Sequence, residues 1–304
     1  MYSISVIIPT YRRQSNLLKC LDSIETQSRQ PEEVLIVNGD NNDDLEEFLK
    51  VNLKGNLRYR IIKSPTGLTR QRNAGIKNAH SDIILFVDDD VILDKDHVKE
   101  IVRVFERFPD NIGGVSGNVT VKTGFENRLF KRAYELYAKI FFLYHEGSGR
   151  FLPSGFTTCC IRERCKDVTP VEFLFGCNMA FKRDVILSFG FDENLYRYMH
   201  MEDDDIAYRV SRKYQNYWTP FARLWHIGPE ECRNDFIRAQ ALFRNHLYLH
   251  RKNFPQTLYY KFAFLLSSIG WLGLEFFHGL AKRDFSRFRG MLSNLWFRKK
   301  ENNR

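Results

Sequence analysis

Over the first 119 residues, short apolar runs of strand length alternate with segments whose apolar residues recur at helical spacing, and this rhythm restricts the fold more than any other feature. Residues 4–8 form a β-rich apolar run that Pro9-Thr10 stops, and Leu17, Leu18, Leu21 and Ile24 then recur with a helical period. The pattern continues as strand 33–37, helix 43–53, strand 57–62, helix 69–79 and strand 83–87. Helix 94–108 follows, with Val98, Ile101, Val102 and Phe105 on one face. Such alternation with short connections predicts a mostly parallel α/β sheet flanked by helices.

The run at 83–87 ends abruptly, because Asp88-Asp89-Asp90 follow Val87 directly. An all-apolar run bounded by charge suits a central strand, buried on both faces, whose carboxyl end opens onto a ligand crevice. Three carboxylates there repel one another unless a cation sits among them. Magnesium or manganese typically takes one or two protein carboxylates and completes its shell with phosphate oxygens and water. A solvated acidic turn would read the same in isolation, so the weight falls on the other segments.

Four segments add to it. Pro9-Thr10-Tyr11-Arg12-Arg13 sets an aromatic face and two cations at the end of the first strand, where nucleotides bind in such sheets. Asn38-Gly39-Asp40-Asn41-Asn42-Asp43 is a polar turn after the second strand, and Asn42 or Asp43 can also serve as a helix cap. Gly67-Leu68-Thr69-Arg70-Gln71-Arg72-Asn73 opens a helix with two arginines, a natural phosphate site through its free N–H groups and dipole. Met201-Glu202-Asp203-Asp204-Asp205 opens another helix; dipole stabilisation accounts for some of these acids, and a general base accounts for one. Further on, Trp225-His226 ends a short strand-like run, and its imidazole can complete a metal site begun by Asp88 and Asp90.

After a strand at 112–119 the rhythm changes. Residues 120–200 contain a basic aromatic helix (129–144), a Gly/Ser/Cys-containing stretch and a predicted strand at 173–181, a long insertion of the kind that shapes a pocket. From residue 234 onward the chain reads as helical and aromatic, through 247–253, 258–281 and 285–297. The formal charge of +9 is concentrated here: residues 282–304 carry eight Lys or Arg against Asp284 and Glu301, a net of +6. Residues 262–281 are apolar but interrupted by Ser267, Ser268, Glu275 and His278, which falls short of an uncharged spanning helix. Packing on the rest of the chain explains this segment; so does an interfacial helix with a basic tail at an anionic membrane. Six cysteines, with Met1-Tyr2-Ser3 running straight into a strand, argue for a reducing, cytoplasmic setting. Cys159, Cys160 and Cys165 cluster without zinc-site spacing.

Taken in order, these pieces resemble the family 2 glycosyltransferases, inverting enzymes of the GT-A fold that use nucleotide-activated sugars. The matching segments are Ser5-Val6-Ile7-Ile8-Pro9-Thr10-Tyr11-Arg12, residues 67–76, Phe86-Val87-Asp88-Asp89-Asp90, Gly176-Cys177-Asn178-Met179-Ala180-Phe181-Lys182-Arg183 and Glu202-Asp203-Asp204-Asp205. The resemblance implies a GT-A catalytic domain over 1–228, with a nucleotide-sugar-binding half (1–119) and an acceptor half (120–228), and a helical, basic C-terminal region over 229–304. It implies Asp88 and Asp90 as the D-x-D pair, the first toward the ribose and the second holding a divalent metal on the diphosphate, with Asp89 between them on the nucleotide-sugar side and His226 as a further metal or phosphate contact. Asp203 matches the base, and Glu202 would orient it or contact the acceptor. Pro9, Thr10, Tyr11, Arg12, Asp40, Arg72 and Asn73 fall in segments flanking the nucleotide, with Arg72 expected to neutralise the departing diphosphate. Gly176, Cys177 and Asn178 match the loop beneath the donor sugar.

The second-strand turn departs from the family pattern, reading Val37-Asn38-Gly39-Asp40 where Val-Asp-Asp or Val-Asp-Gly followed by Ser is usual. The base-contacting aspartate is therefore displaced or absent, leaving uridine, thymidine and guanosine donors open. No Gln-x-x-Arg-Trp motif follows the base, which favours transfer of a single sugar. The expected partners are a nucleotide-diphospho-sugar, a saccharide or lipid-linked saccharide acceptor of bacterial surface-polysaccharide or glycolipid assembly, and an anionic membrane at the inner face of the cell membrane. No nucleic-acid partner is expected. A phosphatase with an aspartate nucleophile would carry its acid pair after the first strand, and a nucleotidyltransferase would carry a Gly-rich loop where Pro9-Thr10-Tyr11 stands. A membrane- or nucleic-acid-binding adaptor on an inactive scaffold would explain the basic tail and leave both acidic clusters idle.

Overall fold

The computed structural model describes residues 2–40, 44–120, 128–159, 165–196, 201–227 and 234–301. The predicted cap at Asn42 or Asp43, Cys160 and the boundary at 228 lie outside them. The chain forms two compact units, one of residues 1–122, 160–193 and 202–229, the other of residues 123–159, 194–201 and 230–304. These units cut across the linear division at 119 and 228, because the segment from 123 to 159 makes its contacts with the C-terminal helices.

The first unit begins β1 (Ile4–Thr10), α1 (Gln14–Glu25), β2 (Glu33–Asn38), α2 (Leu45–Asn52), β3 (Tyr59–Lys63), α3 (Leu68–Asn78), β4 (Ile83–Val87), β5 (Val91–Leu93), α4 (His97–Arg107) and β6 (Ile112–Thr120). The second unit contributes α5 (Arg128–Ile140) and the paired short strands β7 (His145–Glu146) and β8 (Thr158–Cys159). The first unit resumes with β9 (Thr169–Val171), β10 (Asn178–Lys182), α6 (Arg183–Phe189), α7 (Glu202–Ser211) and β11 (Gln215–His226). Helices α8 (Asp235–Asn253), α9 (Leu258–Lys282) and α10 (Ser286–Glu301) complete the second unit.

The sheet runs β3-β2-β1-β4-β10-β6-β11-β5, with β9 added beside β11. The first four strands are parallel, as alternation predicts, and β6 pairs β11 in parallel. The rest is mixed, because β10 inserts antiparallel between β4 and β6. All five residues of β4 are fully buried. Burying such side chains contributes about 1.5–3 kcal/mol each.

Two departures from the predicted elements position the site. The strand expected at 173–181 is confined to Asn178–Lys182, because amides before it go to side chains and not to a ladder: Phe175 N–H to Ser116 Oγ at 3.1 Å, Gly176 N–H to Asp203 Oδ2 at 3.0 Å. Since β10 is antiparallel, its first residue pairs with the last of β4, Asn178 opposite Val87. The loop at 176–177 therefore starts beside Asp88. Helix α4 begins at His97, later than residue 94, because Val91–Leu93 is a strand. That strand pairs antiparallel with the end of a twelve-residue β11, longer than the sequence indicates, and sets His226 opposite Val91.

In the second unit Asn234 caps α8 by accepting the Ile237 N–H at 3.0 Å. Gly290 of α10 lies so close to α8 that a Cβ there would fall 2.3 Å from the Phe236 carbonyl. His246 and His250, one turn apart on α8, pack against Phe264 of α9. Burial lowers His246 to about 3 and depresses His250 in the same direction.

Candidate active site

The ends of β1, β2 and β4 open on one edge of the sheet, where ligands bind in folds of this kind. Asp88, Asp90 and His226 meet there: one donor atom from each lies within 4.8 Å of the others. His226 Nε2 stands 3.2 Å from Asp90 Oδ1, and the Ile227 N–H donates to the Asp90 carbonyl at 2.9 Å. Two carboxylates are a fitting donor set for manganese or magnesium, and the imidazole favours the transition ion, manganese, of the two. Burial pushes Asp88 up despite the Arg72 charge. In Asp90 burial is outweighed by His226 and Arg13, and the carboxyl sits below its ordinary value.

Asp89 points away from this cluster. It accepts the Thr10 hydroxyl at 2.8 Å and an Arg13 N–H at 3.3 Å, and burial raises it to about 6. Arg13 also donates to Asp90 Oδ2 at 3.2 Å. Thus Arg13, one of the two cations expected where a nucleotide binds, ties two of the three acids together, while Arg12 reaches away to Asp40 at 2.6 Å. Arg12 adopts a positive φ of 55°, which turns these neighbouring side chains apart. The Asp40 N–H bonds to Asn38 Oδ1 at 2.8 Å, so the departure at the second strand forms a closed turn.

Arg72, expected at the diphosphate, is only 1% exposed. Its guanidinium donates to Glu202 Oε1 at 2.9 Å, Asp88 Oδ1 at 3.1 Å and the Gly176 carbonyl at 3.0 Å, above the Phe191 ring at 5.3 Å. A buried cation is tolerable only with such partners. Asn73 is likewise engaged within the fold: its amide donates to the Phe191 carbonyl at 2.9 Å and accepts the Phe191 N–H at 2.8 Å. Gln71, which the sequence does not single out, is fully buried and bridges the Thr10 and Val37 carbonyls at 2.8 Å each.

The second acidic cluster starts α7. Asp203 Oδ2 accepts the Gly176 N–H at 3.0 Å and Oδ1 accepts the Asp204 N–H at 3.0 Å. Burial first, then the neighbouring Glu202 charge, raise Asp203 to about 6. Gly176 leaves room for this contact, since a Cβ would lie 2.9 Å from Asp203 Oδ2 and push the side chain aside. Burial and its acidic neighbours raise Asp204 well above the carboxylate range. Asp205 is a structural acid, paired with Arg209 at 2.7 Å. Cys177 is half-buried with its thiol raised by burial, and Asn178 is fully buried with its carbonyl accepting the Ser116 hydroxyl at 2.6 Å. Of the loop predicted beneath the donor sugar, Gly176 is thus the member in contact with the second cluster.

The sequence model for Glycosyl transferase family 2 matches residues 5–188, and the chain belongs to that family. It is 32% identical over 110 residues to the glycosyltransferase GlyA of Streptococcus pneumoniae serotype 4, covering 36% of this chain and 16% of that protein. Over 229 residues it is 21% identical to a poly-beta-1,6-N-acetyl-D-glucosamine synthase of Staphylococcus aureus, covering 75% of this chain and 50% of the synthase. The chain therefore spans half or less of the length of these two relatives. In fold it is similar to the mannosyltransferase PcManGT of Pyrobaculum calidifontis, solved with GDP-Man and Mn2+: the TM-score is 0.58 at 16% identity, over 96% of this chain and 84% of that one. The fold is GT-A.

Proposed function

We propose that this chain is an inverting glycosyltransferase that moves one sugar from a nucleotide-diphospho-sugar to a hydroxyl of a saccharide or lipid-linked saccharide, in bacterial surface-polysaccharide or glycolipid assembly at the cytoplasmic face of the membrane. One observation carries the reading. A carboxylate held by a backbone amide and raised to about 6, Asp203, stands on a different element from the Asp88, Asp90 and His226 cluster, and Arg72 bonds to acids at both sites.

In this reading Asp203 takes the proton of the acceptor hydroxyl as its oxygen bonds to the anomeric carbon. The bond from that carbon to the diphosphate oxygen breaks on the opposite side, and the configuration inverts. A base titrating near 6 is mostly ionised at neutral pH yet still basic enough to accept a proton. A divalent ion held by Asp88, Asp90 and His226 would supply Lewis-acid charge for the diphosphate. Arg72 neutralises Asp88 and Glu202 from within, while Glu202 stays beside Asp203 and orients it.

The deciding experiment is a donor screen that measures nucleoside diphosphate release with manganese, with magnesium and with chelator. Release from one nucleotide-sugar class, dependent on metal and acceptor, is expected. Metal-independent release, or none from any uridine, thymidine or guanosine donor, would overturn the reading.

A further inference from the structure

Between Phe262 and Phe277, α9 is apolar on both sides: Phe264, Trp271 and Leu272 pack inward, yet every exposed residue is apolar as well. Its exposed residues there are Phe262, Leu265, Ile269, Phe276 and Phe277, all large and apolar and 40–63% exposed. Its buried residues there are Ala263, Ser267, Ser268, Gly270 and Glu275. A helix on the surface of a water-soluble domain turns charged and polar residues outward, whereas one that is apolar all round belongs where its outer face is covered or meets hydrocarbon. The fully buried positions being small or polar fits close helix packing beside such a face.

The inward face is complete. The Ser267 and Ser268 hydroxyls donate to the Phe264 carbonyl at 2.9 and 2.8 Å. Glu275 accepts from Arg287 at 2.7 Å and from the Trp271 indole at 3.3 Å. Gly270 lets α5 approach, with the Tyr137 hydroxyl donating to its carbonyl at 2.8 Å and a would-be Cβ only 2.5 Å from Phe141. What is left over is the outward stripe. Phe262, Leu265, Ile269 and Phe276 recur at steps of three, four and seven, a single seam about 21 Å long at 1.5 Å per residue.

The helix is long and apolar enough to cross a membrane by length and composition. Helix α8, packed on it through Phe243 against Trp271, carries Arg238, Arg244, Arg251 and Lys252 and does not belong in hydrocarbon. A side-on position meets both conditions. Exposed Lys282 and Arg283 end the stripe, at the start of the +6 C-terminal stretch, which complements anionic headgroups.

We propose that α9 seats side-on in the interfacial layer of an anionic bilayer, with the Phe262–Phe277 stripe toward the acyl chains and the basic C-terminus among the headgroups. This names the surface behind the membrane setting proposed above, and it rests on that reading only for where the acceptor would be found.

The test is flotation of the full chain with phosphatidylcholine vesicles with and without phosphatidylglycerol. The chain is expected to float with the anionic vesicles at low salt and to be partly released at high salt. The triple variant F262S/L265S/I269S, altered only at exposed positions, should lose about tenfold or more of the bound fraction with its melting temperature unchanged. No flotation with anionic vesicles at low salt, or equal flotation of the folded variant, would overturn the proposal. So would a sedimentation dimer that the variant dissolves without any vesicle binding, which would assign the stripe to a second copy of the chain. Flotation in a chain that releases no nucleoside diphosphate from any donor would support this proposal and fail the transferase reading alone.

Discussion

Asp90 and Asp203 are both aspartates flanked by other acids, and their surroundings move them in opposite directions. Asp90 lies in the turn between β4 and β5, touches His226 and Arg13, and titrates below its ordinary value although burial opposes it. Asp203 begins a helix, is held by backbone amides, and is raised to about 6. The contrast is one of compensation: in Asp90 nearby cations outweigh burial, whereas in Asp203 burial and the Glu202 charge outweigh Arg72 and the backbone amides, which is the difference that the proposed roles of metal ligand and base require.

The sharpest way to break the comparison is to neutralise each acid in turn. Asp203→Asn should cut kcat by about 10²- to 10⁴-fold with donor affinity intact; near-normal turnover would remove Asp203 from its role. Asp90→Ala should do the converse, abolishing the metal-dependent part of donor affinity measured by calorimetry, and unchanged affinity in manganese would count against it. Arg72→Met should harm both sites and leave Glu202 unpaired, lowering unfolding free energy by about 3 kcal/mol in a urea titration. A loss under about 1 kcal/mol would mean that the guanidinium is not holding the acids together.

Smaller effects refine the contrast. Gly176→Ala presses a methyl group on Asp203 and should move it by a few tenths of an ångström. Turnover is then expected to fall roughly tenfold, against the 10² that a 1 Å misplacement can cost, with metal binding unaffected. In wild-type protein kcat/KM should rise with pH through about 6 as Asp203 ionises, and this limb should be missing from the residual rate of Asp203→Asn. A limb that persists in the variant would assign it to another group.

How far the sequence foretold this site depends on the range of the interaction. The elements from β1 to α4 are legible because periods of 2 and 3.6 are local properties of the chain. Strand β5 is not, because three residues acquire strand character only through pairing with β11. The antiparallel entry of β10 is equally silent in a sequence whose first half is regular. Arg70 and Arg72 open the same helix, and nothing nearby distinguishes the exposed one from the buried one; the Glu202 partner of Arg72 is 130 residues away. The acids themselves were visible as clusters, whereas their division of labour depends on Arg13, Gly176 and burial, which only the folded chain brings together.

The short pairing of β5 with β11 also limits how the length of this chain can drift. Side chains alternate along a strand, so deleting one residue between Arg223 and His226 would turn the imidazole to the opposite face of the sheet. The irregular register between Trp218 and Arg223, which includes Pro220, can absorb an insertion or deletion that the next three residues cannot. Homologous chains are therefore expected to vary in length at 219–222 and to keep a constant count from there to the histidine.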